Sequence, residues 1–410
     1  MTRAAVRLSL LLLLCAGTGL VSSSVFLVLS MASALRFRRR VQQSAVAASS
    51  LPPVTLLKPL CGLEPNLEQN LESFFRQDYP NFELIFGTRE ANDPALEVVQ
   101  RIHERYPEIK IKVVLSGEPD RPNAKVCSLE KMYTAASSDY FVISDSDVRV
   151  TPDYLKELTV PLLDPAVGLV TCLYRGVPVG SIWSRLEALG MSVEMTSGVI
   201  VAGMLEGMKF ALGPTMAIRR DVLESIGGFG VLVDYCADDY VLGHAVHESG
   251  HTVVLSRHVI NHAANHRSFK GSVLHQVRWM KSTRFSRPKG HIGTGLTFAT
   301  PFGLLGAVTA VASGHTVLGI VFLAWALLHG VAMSLAVGWG VVRDPNSLRY
   351  CWLYPVRDFM GFCFWCASFF SRDIVWRGVR YRLQFGGKML RTGSDPSKQD
   401  SSAVAVDNLA

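Results

Sequence analysis

The sequence predicts an α/β domain, with a mostly parallel β-sheet and helices on both of its faces, set between membrane helices at the two ends of the chain. From Val54 onward, short strand-like runs alternate with amphipathic helical stretches. This alternation is typical of parallel sheets with right-handed crossover connections. The chain of 410 residues is 49% hydrophobic, and its longest uncharged stretches lie near its termini. Such stretches are long enough to span a bilayer.

Residues 1–35 are predicted to form a transmembrane anchor, because the stretch from Leu8 to Leu35 is almost uncharged. A secretory signal is the alternative, but this stretch is long for one. Four arginines then follow within the next five positions. The positive-inside rule places the residues after them in the cytoplasm. Residues 36–53 are predicted to form a linker that leads into the central domain.

The central domain is predicted over residues 54–290. Strands are expected near 54–57, 82–86, 109–115, 140–144, 168–174, 210–219 and 253–255. Helices are expected near 66–76, 95–106, 123–136, 182–207, 221–226 and 240–247. The sequence has no Gly-x-Gly-x-x-Gly after the first strand and no Walker loop. These absences argue against a dinucleotide-binding domain and against a P-loop nucleotidase.

Residues 291–390 are predicted to form a second membrane region. Stretches 295–313 and 317–342 are apolar enough to span, whereas 351–370 is interrupted by Arg357 and Asp358. Because a charge pair at mid-depth is costly in lipid, the third stretch is expected to be interfacial or re-entrant. Two spans would return the basic segment that follows to the cytoplasm. The polar residues 391–410 are predicted to be a disordered tail.

Charge and cysteine usage narrow the class of protein. The formal net charge is +7, and much of the basic excess lies beside apolar segments. That placement favours contact with anionic lipid and excludes nucleic acid as an expected partner. The eight cysteines are scattered along the chain. They therefore predict reduced thiols and not a disulfide framework.

Carboxylates recur at three places that a parallel sheet would bring to one edge. Glu90 and Asp93 follow one strand, Asp145 and Asp147 follow another, and an Asp pair at 238–239 opens a helix. Open α/β sheets bind ligands outside the carboxyl ends of their strands. Two Asp separated by one residue can hold Mg²⁺ or Mn²⁺ together with a diphosphate.

Each of these features also has a structural explanation. Asp93 precedes Pro94 and could cap the next helix, while Asp239 could favour a helix N-terminus electrostatically. Arg278 and Trp279 could anchor the chain at the membrane interface. As a set, however, the residues suit a sugar-nucleotide transferase, which needs metal-binding acids, a general base, a cation and an aromatic platform.

With these motifs in place, the chain resembles the inverting, membrane-bound ceramide glucosyltransferase family and, equally, the related bacterial hopanoid-linked glycosyltransferases. The similarity runs from about Val54 to Arg284 and returns near the C-terminus. Its order and spacing are specific, although each motif alone is short. The matching segments are Leu57–Leu67, Asp93–Ala95, Asp145–Val150, Gly168–Val170, Ile226–Phe229, Ala237–Tyr240, Arg278–Trp279 and Trp376–Leu383.

The resemblance implies a GT-A-type fold and a role for each site residue. The implied catalytic base is Asp239. The implied metal ligands are Asp145 and Asp147, which would bind Mg²⁺ or Mn²⁺. The implied donor-binding residues are Asp93, Glu90, Asp145, Arg278 and Trp279. The implied acceptor-side residues are Asp238 and His275.

Three positions depart from the family pattern. His275 stands where the family's (Gln/Arg)-x-x-Arg-Trp motif begins with Gln or Arg, and Glu90 stands where relatives have Asp. Val193 and Glu194 occupy the region in which eukaryotic ceramide enzymes carry a His. The last departure bears on the acceptor, so a ceramide acceptor stays open to question.

The predicted activity is transfer of a hexose, with glucose favoured, from a UDP-sugar to a membrane lipid hydroxyl with inversion. The lipid is ceramide or, alternatively, a hopanoid, in which case N-acetylglucosamine could be the sugar. The expected location is a bacterial inner membrane, with the catalytic domain in the cytoplasm. Two other interpretations stay open: a processive polysaccharide synthase, and a non-enzymatic membrane scaffold with a transferase fold.

Overall fold

The centre of the protein is a mixed β-sheet, seen in a computed structural model that describes residues 3–39, 50–376 and 378–394. Within these residues the sheet has eight strands. They are β1 (Val54–Pro59), β2 (Phe82–Thr88), β3 (Lys110–Leu115), β4 (Tyr140–Ser144), β5 (Val148–Arg149), β6 (Val167–Pro178), β7 (Thr215–Arg219) and β8 (Thr252–Ala264). Most of the predicted linker, Arg377 and the predicted tail beyond 394 lie outside the described residues.

The strand order is β3-β2-β1-β4-β7-β6-β8-β5. The first four strands pair in parallel, as do β6 and β8. Strand β7 lies antiparallel between β4 and β6, and β5 is antiparallel to β8. The predicted α/β architecture with a mostly parallel sheet is confirmed. The segment expected to be strand, turn and strand at 210–219 supplies only β7 and a short bridge at Leu212.

The helices lie around this sheet and beyond it. In chain order they are α1 (Arg3–Arg39), α2 (Leu67–Phe75), α3 (Ala95–His103), α4 (Ala124–Ala135), α5 (Tyr154–Thr159), α6 (Ile182–Leu189), α7 (Thr196–Leu205), α8 (Arg220–Ser225), α9 (Asp238–Glu248), α10 (Phe269–Ser286), α11 (Pro288–Thr294), α12 (Thr300–Ala312), α13 (Thr316–Met333), α14 (Pro345–Arg349) and α15 (Tyr354–Ala367). A π-helical turn, Gly190–Met195, joins α6 to α7.

Both faces of the sheet are buried. Leu56 belongs to an apolar cluster on one face, and its neighbour Leu57 belongs to a second cluster on the other. Successive side chains of a strand point to opposite faces, so a strand covered on both sides is apolar throughout. This explains why the central strands appear in the sequence as mostly apolar runs, in which the few internal polar residues, such as Thr55 and Glu83, are themselves buried.

Three helical segments among the described residues are long and apolar enough to cross a membrane: Arg3–Arg39, Ile182–Leu205 and Thr316–Trp339. The first packs against α12 and α13. Trp325 donates a hydrogen bond to the Ser24 hydroxyl at 3.0 Å, which ties α13 to α1. Helix α12 has only 13 residues, about 20 Å at 1.5 Å per residue. It is therefore shorter than the span predicted at 295–313.

The charge pair that interrupts the third apolar stretch lies inside the protein. Arg357 is 2.9 Å from the Glu194 carboxylate, on the π-helical turn. Asp358 accepts hydrogen bonds from the backbone N–H groups of Ala299 and Thr300 at 3.0 and 2.7 Å. Because protein partners surround both charges, this segment avoids the cost of charge in lipid.

Residues 373–394 form a three-stranded antiparallel sheet, made of β9 (Asp373–Trp376), β10 (Val379–Leu383) and β11 (Met389–Ser394). The predicted membrane region of 291–390 therefore ends before β9. The predicted disordered tail is likewise wrong for residues 391–394, which belong to β11. Tyr381, Leu383 and Met389 are buried against Cys236 and Phe285 of the central domain. This apolar contact is what orders the segment.

Candidate active site

Lysine 125 lies at the centre of the carboxyl edge of the sheet. Its ammonium is 2.6 Å from an oxygen of Asp145, which follows β4, and 3.9 Å from an oxygen of Asp238, the first residue of α9. Its side chain is only 15% exposed. Burial acts to lower the pKa of Lys125, but the carboxylates of Asp145 and Asp238 outweigh it and raise that pKa above its ordinary value.

Asparagine 123 fixes the geometry between α4 and α9. Its side-chain oxygen accepts hydrogen bonds from the N–H groups of Lys125 and Val126, so that it caps α4. Its amide nitrogen donates to the Tyr235 carbonyl at 2.9 Å and to Asp238 at 3.4 Å. One buried residue therefore starts the helix that carries Lys125 and also holds the segment that leads to the Asp pair.

Asp239 has a buried carboxylate held by backbone donors. The N–H of Gly213 donates to one oxygen at 2.7 Å, and its own neighbour Tyr240 donates to the other at 2.8 Å. Burial and then the adjacent charge of Asp238 raise the pKa of Asp239 to about 6. A side chain at position 213 would place its Cβ 3.1 Å from the same carboxylate. Glycine there permits the close approach.

Lysine 58, near the end of β1, is a buried lysine for which the sequence predicted no role. Its ammonium donates to the Asp145 carbonyl at 2.5 Å and lies 3.7 Å from the centre of the Phe74 ring. Burial lowers the pKa of Lys58 to about 7, although the charge of Asp145 opposes this shift. A lysine inside an otherwise apolar strand run was the available signal in the sequence.

Asp147 and His262 form the other side of the same edge. Pairing of β5 with β8 places Val148 opposite His262, and the His262 Nε2 lies 3.4 Å from the Asp147 Oδ1. Among the described residues, neither this oxygen nor the His262 Nδ1 has a hydrogen-bond partner, although both are buried. Burial raises the pKa of Asp147. No local sequence motif marks His262, because it reaches Asp147 only through this strand pairing.

This edge fits a divalent cation. Asp145 and Asp147 offer carboxylate oxygens, and His262 offers an imidazole nitrogen close to one of them. An orphaned, buried carboxylate oxygen is what a cation would satisfy, and these donors suit Mn²⁺ or Mg²⁺. One oxygen of Asp145 is already paired with Lys125.

Asp93 and Glu90 lie in the loop after β2, at the same edge of the sheet. Both Asp93 carboxylate oxygens lie 3.0 Å from the Gly62 nitrogen, and one accepts from Ala95 at 2.9 Å. Asp93 thus joins the loop after β1 to the start of α3, as the capping interpretation expected. Glu90 is exposed. The hydrogen bonds of Asp93 and the exposure of Glu90 do not test their donor-binding roles, which stay predictions.

Arg278, Trp279 and His275 lie on α10. The Arg278 guanidinium lies 5.7 Å from the centre of the Trp376 ring on β9, and the His275 ring lies 4.5 Å from the ring of Trp279. The contact with Trp376 places Arg278 against the small C-terminal sheet. Burial lowers the pKa of His275 to about 4, opposed by a hydrogen bond to Glu187.

The C-terminal sheet also contacts the segment just before Asp238. The Met389 N–H donates to the Asp234 carbonyl at 2.7 Å, and the Cys236 N–H donates to the Gly387 carbonyl at 3.1 Å. Asp234 is further paired with Arg121 at 2.5 Å. The sheet is thus connected both to α10 and to the segment that carries the two acids.

Comparison with known protein families identifies the family of this chain. Glycosyl transferase family 21 matches residues 19–389. The chain belongs to this family. The predicted resemblance to the ceramide glucosyltransferases is therefore confirmed, and the protein is a nucleotide-sugar glycosyltransferase.

Curated relatives cover most of this family 21 chain. Ceramide glucosyltransferase 1 of Caenorhabditis elegans is 25% identical over 362 residues, which are 85% of this chain and 75% of the relative. Ceramide glucosyltransferase 3 of the same organism is 23% identical over 86% of this chain and 77% of its own. A ceramide glucosyltransferase of Komagataella phaffii is 40% identical, but over only 24% of this chain and 20% of its own.

A solved structure shares the fold. The mannosyltransferase PcManGT of Pyrobaculum calidifontis, determined with GDP-Man and Mn²⁺, aligns with 86% of this chain and 99% of its own. The TM-score is 0.52 and the sequence identity is 19%. The predicted GT-A-type fold is confirmed. Together with the long apolar helices and the relatives, it describes a membrane glycosyltransferase.

Proposed function

We propose that this family 21 enzyme transfers a hexose, with glucose favoured, from a UDP-sugar to a membrane lipid hydroxyl with inversion at the anomeric carbon. The observation that supports this most is the buried Asp239 carboxylate, with a pKa of about 6. A base that is ionised just below neutral pH can accept a proton from an alcohol as the alcohol attacks.

Asp239 would act as the general base. It takes the proton of the acceptor hydroxyl while that oxygen bonds to the anomeric carbon and the bond from this carbon to the UDP oxygen breaks. A single displacement of this kind inverts the anomeric configuration. The two backbone N–H groups on Asp239 hold its carboxylate in place, and Asp238 stands beside it on the acceptor side.

Asp145 and Asp147, with His262 as a further donor, would hold Mg²⁺ or Mn²⁺. Such a cation would offset the negative charge that develops on the departing diphosphate. Lys125, which is paired with Asp145, would keep the acids from repelling the donor. Arg278, together with the ring of Trp279, would bind the diphosphate and the sugar, while Asp93 and Glu90 would face the nucleotide.

The acceptor would be ceramide or a similar lipid, by analogy with the relatives named ceramide glucosyltransferase. The apolar helices would hold the catalytic domain at the cytoplasmic face of a bacterial inner membrane, so that the lipid hydroxyl reaches the site without leaving the bilayer. A hopanoid is kept as the second candidate acceptor, because Glu194 stands in the region where eukaryotic ceramide enzymes carry a His, and its carboxylate is paired with Arg357.

The test is mass spectrometry of lipids from membranes that contain this chain, supplied with labelled UDP-glucose or UDP-N-acetylglucosamine and either ceramide or a hopanoid polyol. We expect a labelled hexosylceramide that requires Mn²⁺ or Mg²⁺ and has the anomeric configuration opposite to that of the donor. If only the hopanoid became labelled, the acceptor would be a hopanoid and not ceramide. A retained configuration, or no labelled lipid with any pairing, would contradict the proposal.

A further inference from the structure

A second cluster of metal-ligating side chains lies where α6 meets the start of α10. Glu187 is on α6, His275 is on α10, and His266 is in the connection between β8 and α10. The Glu187 side chain is 0% exposed. One of its oxygens lies 2.8 Å from the His275 Nδ1 and 3.3 Å from the His266 Nδ1.

The donor atoms of these residues converge. One ligand atom from each of the three lies within 4.8 Å of the others, and the two imidazole rings stack with their centres 4.2 Å apart. Ser272 donates a hydrogen bond at 3.0 Å to the second carboxylate oxygen of Glu187. A ligating carboxylate that is itself oriented by a hydrogen bond is typical of metal sites in proteins.

We propose that Glu187, His266 and His275 form a zinc site distinct from the acidic edge at Asp145 and Asp147. Two imidazoles and one carboxylate favour Zn²⁺, whereas an all-oxygen set would favour Mg²⁺. Binding through the two Nδ1 atoms would move the proton of each neutral ring from Nδ1 to Nε2, so that both histidines bind the metal as neutral imidazoles. The metal would then join all three side chains directly.

The exposure of the ligands fits an open site. The carboxylate lies innermost, whereas the His275 and His266 side chains are 17% and 34% exposed. A fourth ligand, such as water, can therefore approach from the side of the rings. Three protein ligands with one open position is a common zinc arrangement. The site would tie α6 to α10, the helix that carries Arg278 and Trp279.

The test is calorimetric titration with ZnCl₂ of the full chain in detergent, after chelator treatment, in an Asp145→Asn/Asp147→Asn background that weakens binding at the acidic edge. We expect one Zn²⁺ per chain. His275→Gln or Glu187→Gln should weaken it at least about 100-fold, and Ser272→Ala about tenfold, the range seen when a ligand's supporting hydrogen bond is lost. His315→Gln, which changes an exposed histidine outside the cluster, is the matched control.

X-ray absorption on the zinc-loaded chain keeps the test valid if a variant fails to fold. We expect two imidazole nitrogens and a carboxylate oxygen at about 2.0–2.1 Å. The proposal would be overturned if the chain did not bind Zn²⁺, or if His275→Gln left the binding unchanged. The Glu187 carboxylate would then only accept hydrogen bonds. Because these measurements need no sugar transfer, their outcome does not depend on the proposed function.

Discussion

Two groups of buried charges in this protein are balanced in opposite ways. Beside the membrane helices, Arg357 is paired with Glu194, and Asp358 is bound by two backbone N–H groups. At the sheet edge, the carboxylates of Asp145, Asp147, Asp238 and Asp239 lie near two ammonium groups, those of Lys125 and Lys58. The first group has its partners within the protein, whereas the second has too little positive charge for its acids.

The difference separates a structural role from the proposed catalytic one. Buried charges that only hold a fold are stable when fixed partners compensate them. An excess of carboxylates at one edge costs stability unless a cation or substrate arrives, and such clusters of acids are typical of functional sites. Substitution of Asp239 removes an acid from the sheet edge, whereas substitution of Arg357 removes the cation that is paired with Glu194.

Substitution of Asp239 by Asn should have the largest effect on turnover. Loss of a general base typically lowers the rate by about 10²–10⁴-fold. Asn has the shape of Asp but can accept from only one of the two N–H groups, of Gly213 and Tyr240, that bind the carboxylate. The variant should therefore fold with a modest loss of stability and still bind UDP with Mn²⁺. The measurement is kcat for sugar transfer alongside calorimetry with UDP. Asp78→Asn, at an exposed acid, is the control, and near-normal kcat in Asp239→Asn would rule out the assigned base.

Substitution of Arg357 by Met should mainly reduce stability. Removing one partner of a buried ion pair leaves an uncompensated charge on Glu194 and costs about 3–5 kcal/mol. Thermal unfolding in detergent should show the loss, and a second change, Glu194→Met, should restore much of it. If the double variant is as unstable as the single one, the pair does not act as a compensated unit.

The pH dependence of stability should differ between wild type and Asp239→Asn. The pKa of Asp239 is raised to about 6 in the folded chain, whereas an unfolded aspartate titrates near 3.9. The stability contributed by the protonated form is fully present below pH 4 and is lost as the pH rises through 6. Asp239→Asn lacks this loss, so the difference in unfolding free energy should change by about 3 kcal/mol between pH 4 and 7.

Chemical unfolding of both proteins across this pH range provides the measurement, and Asp78→Asn again serves as the control. A difference in unfolding free energy that stays constant from pH 4 to 7 would mean that Asp239 is already ionised at low pH. In that case the acidic edge would be as well compensated as the charges around Arg357.

Substitution of Trp376 by Leu should have the smallest effect. The Arg278 guanidinium lies over this ring, and a partly exposed cation–π contact contributes about 0.5–1 kcal/mol. We expect a two- to fivefold rise in the KM for the donor with kcat nearly unchanged, since the ring positions Arg278 without touching the reacting atoms. Trp376→Phe should preserve most of the affinity. A large fall in kcat instead would place Trp376 in the reaction itself.

The sequence predicted the features that depend on local pattern. Strands β1 to β4 follow from apolar runs that end in polar residues, and the Asp residues at 93, 145 and 239 follow from motif spacing. Arg357 and Asp358 also predicted that the third apolar stretch does not span a membrane, and its helix α15, with 14 residues, is not among the described helices that are long and apolar enough to do so.

Other features depend on contacts between distant segments and were missed. Lys58 and Lys125 reach Asp145 only once β1, α4 and β4 are assembled. His262 joins Asp147 through the register of β5 on β8. The C-terminal sheet did have a local signal, since Tyr381 and Leu383 alternate with exposed arginines. Because apolar stretches come just before this segment, it was included in the predicted membrane region.

The pairing of Met389 with Asp234 has a consequence for how the enzyme is made. A ribosome completes the segment around Asp234 long before it reaches β11, and the apolar helical segment Thr316–Trp339 is synthesised in between. The backbone that leads to Asp238 and Asp239 therefore gains its last partner only when the membrane helices are already available for insertion. A nascent chain would therefore lack the complete backbone support of this edge until all of its described membrane-length helices had been synthesised.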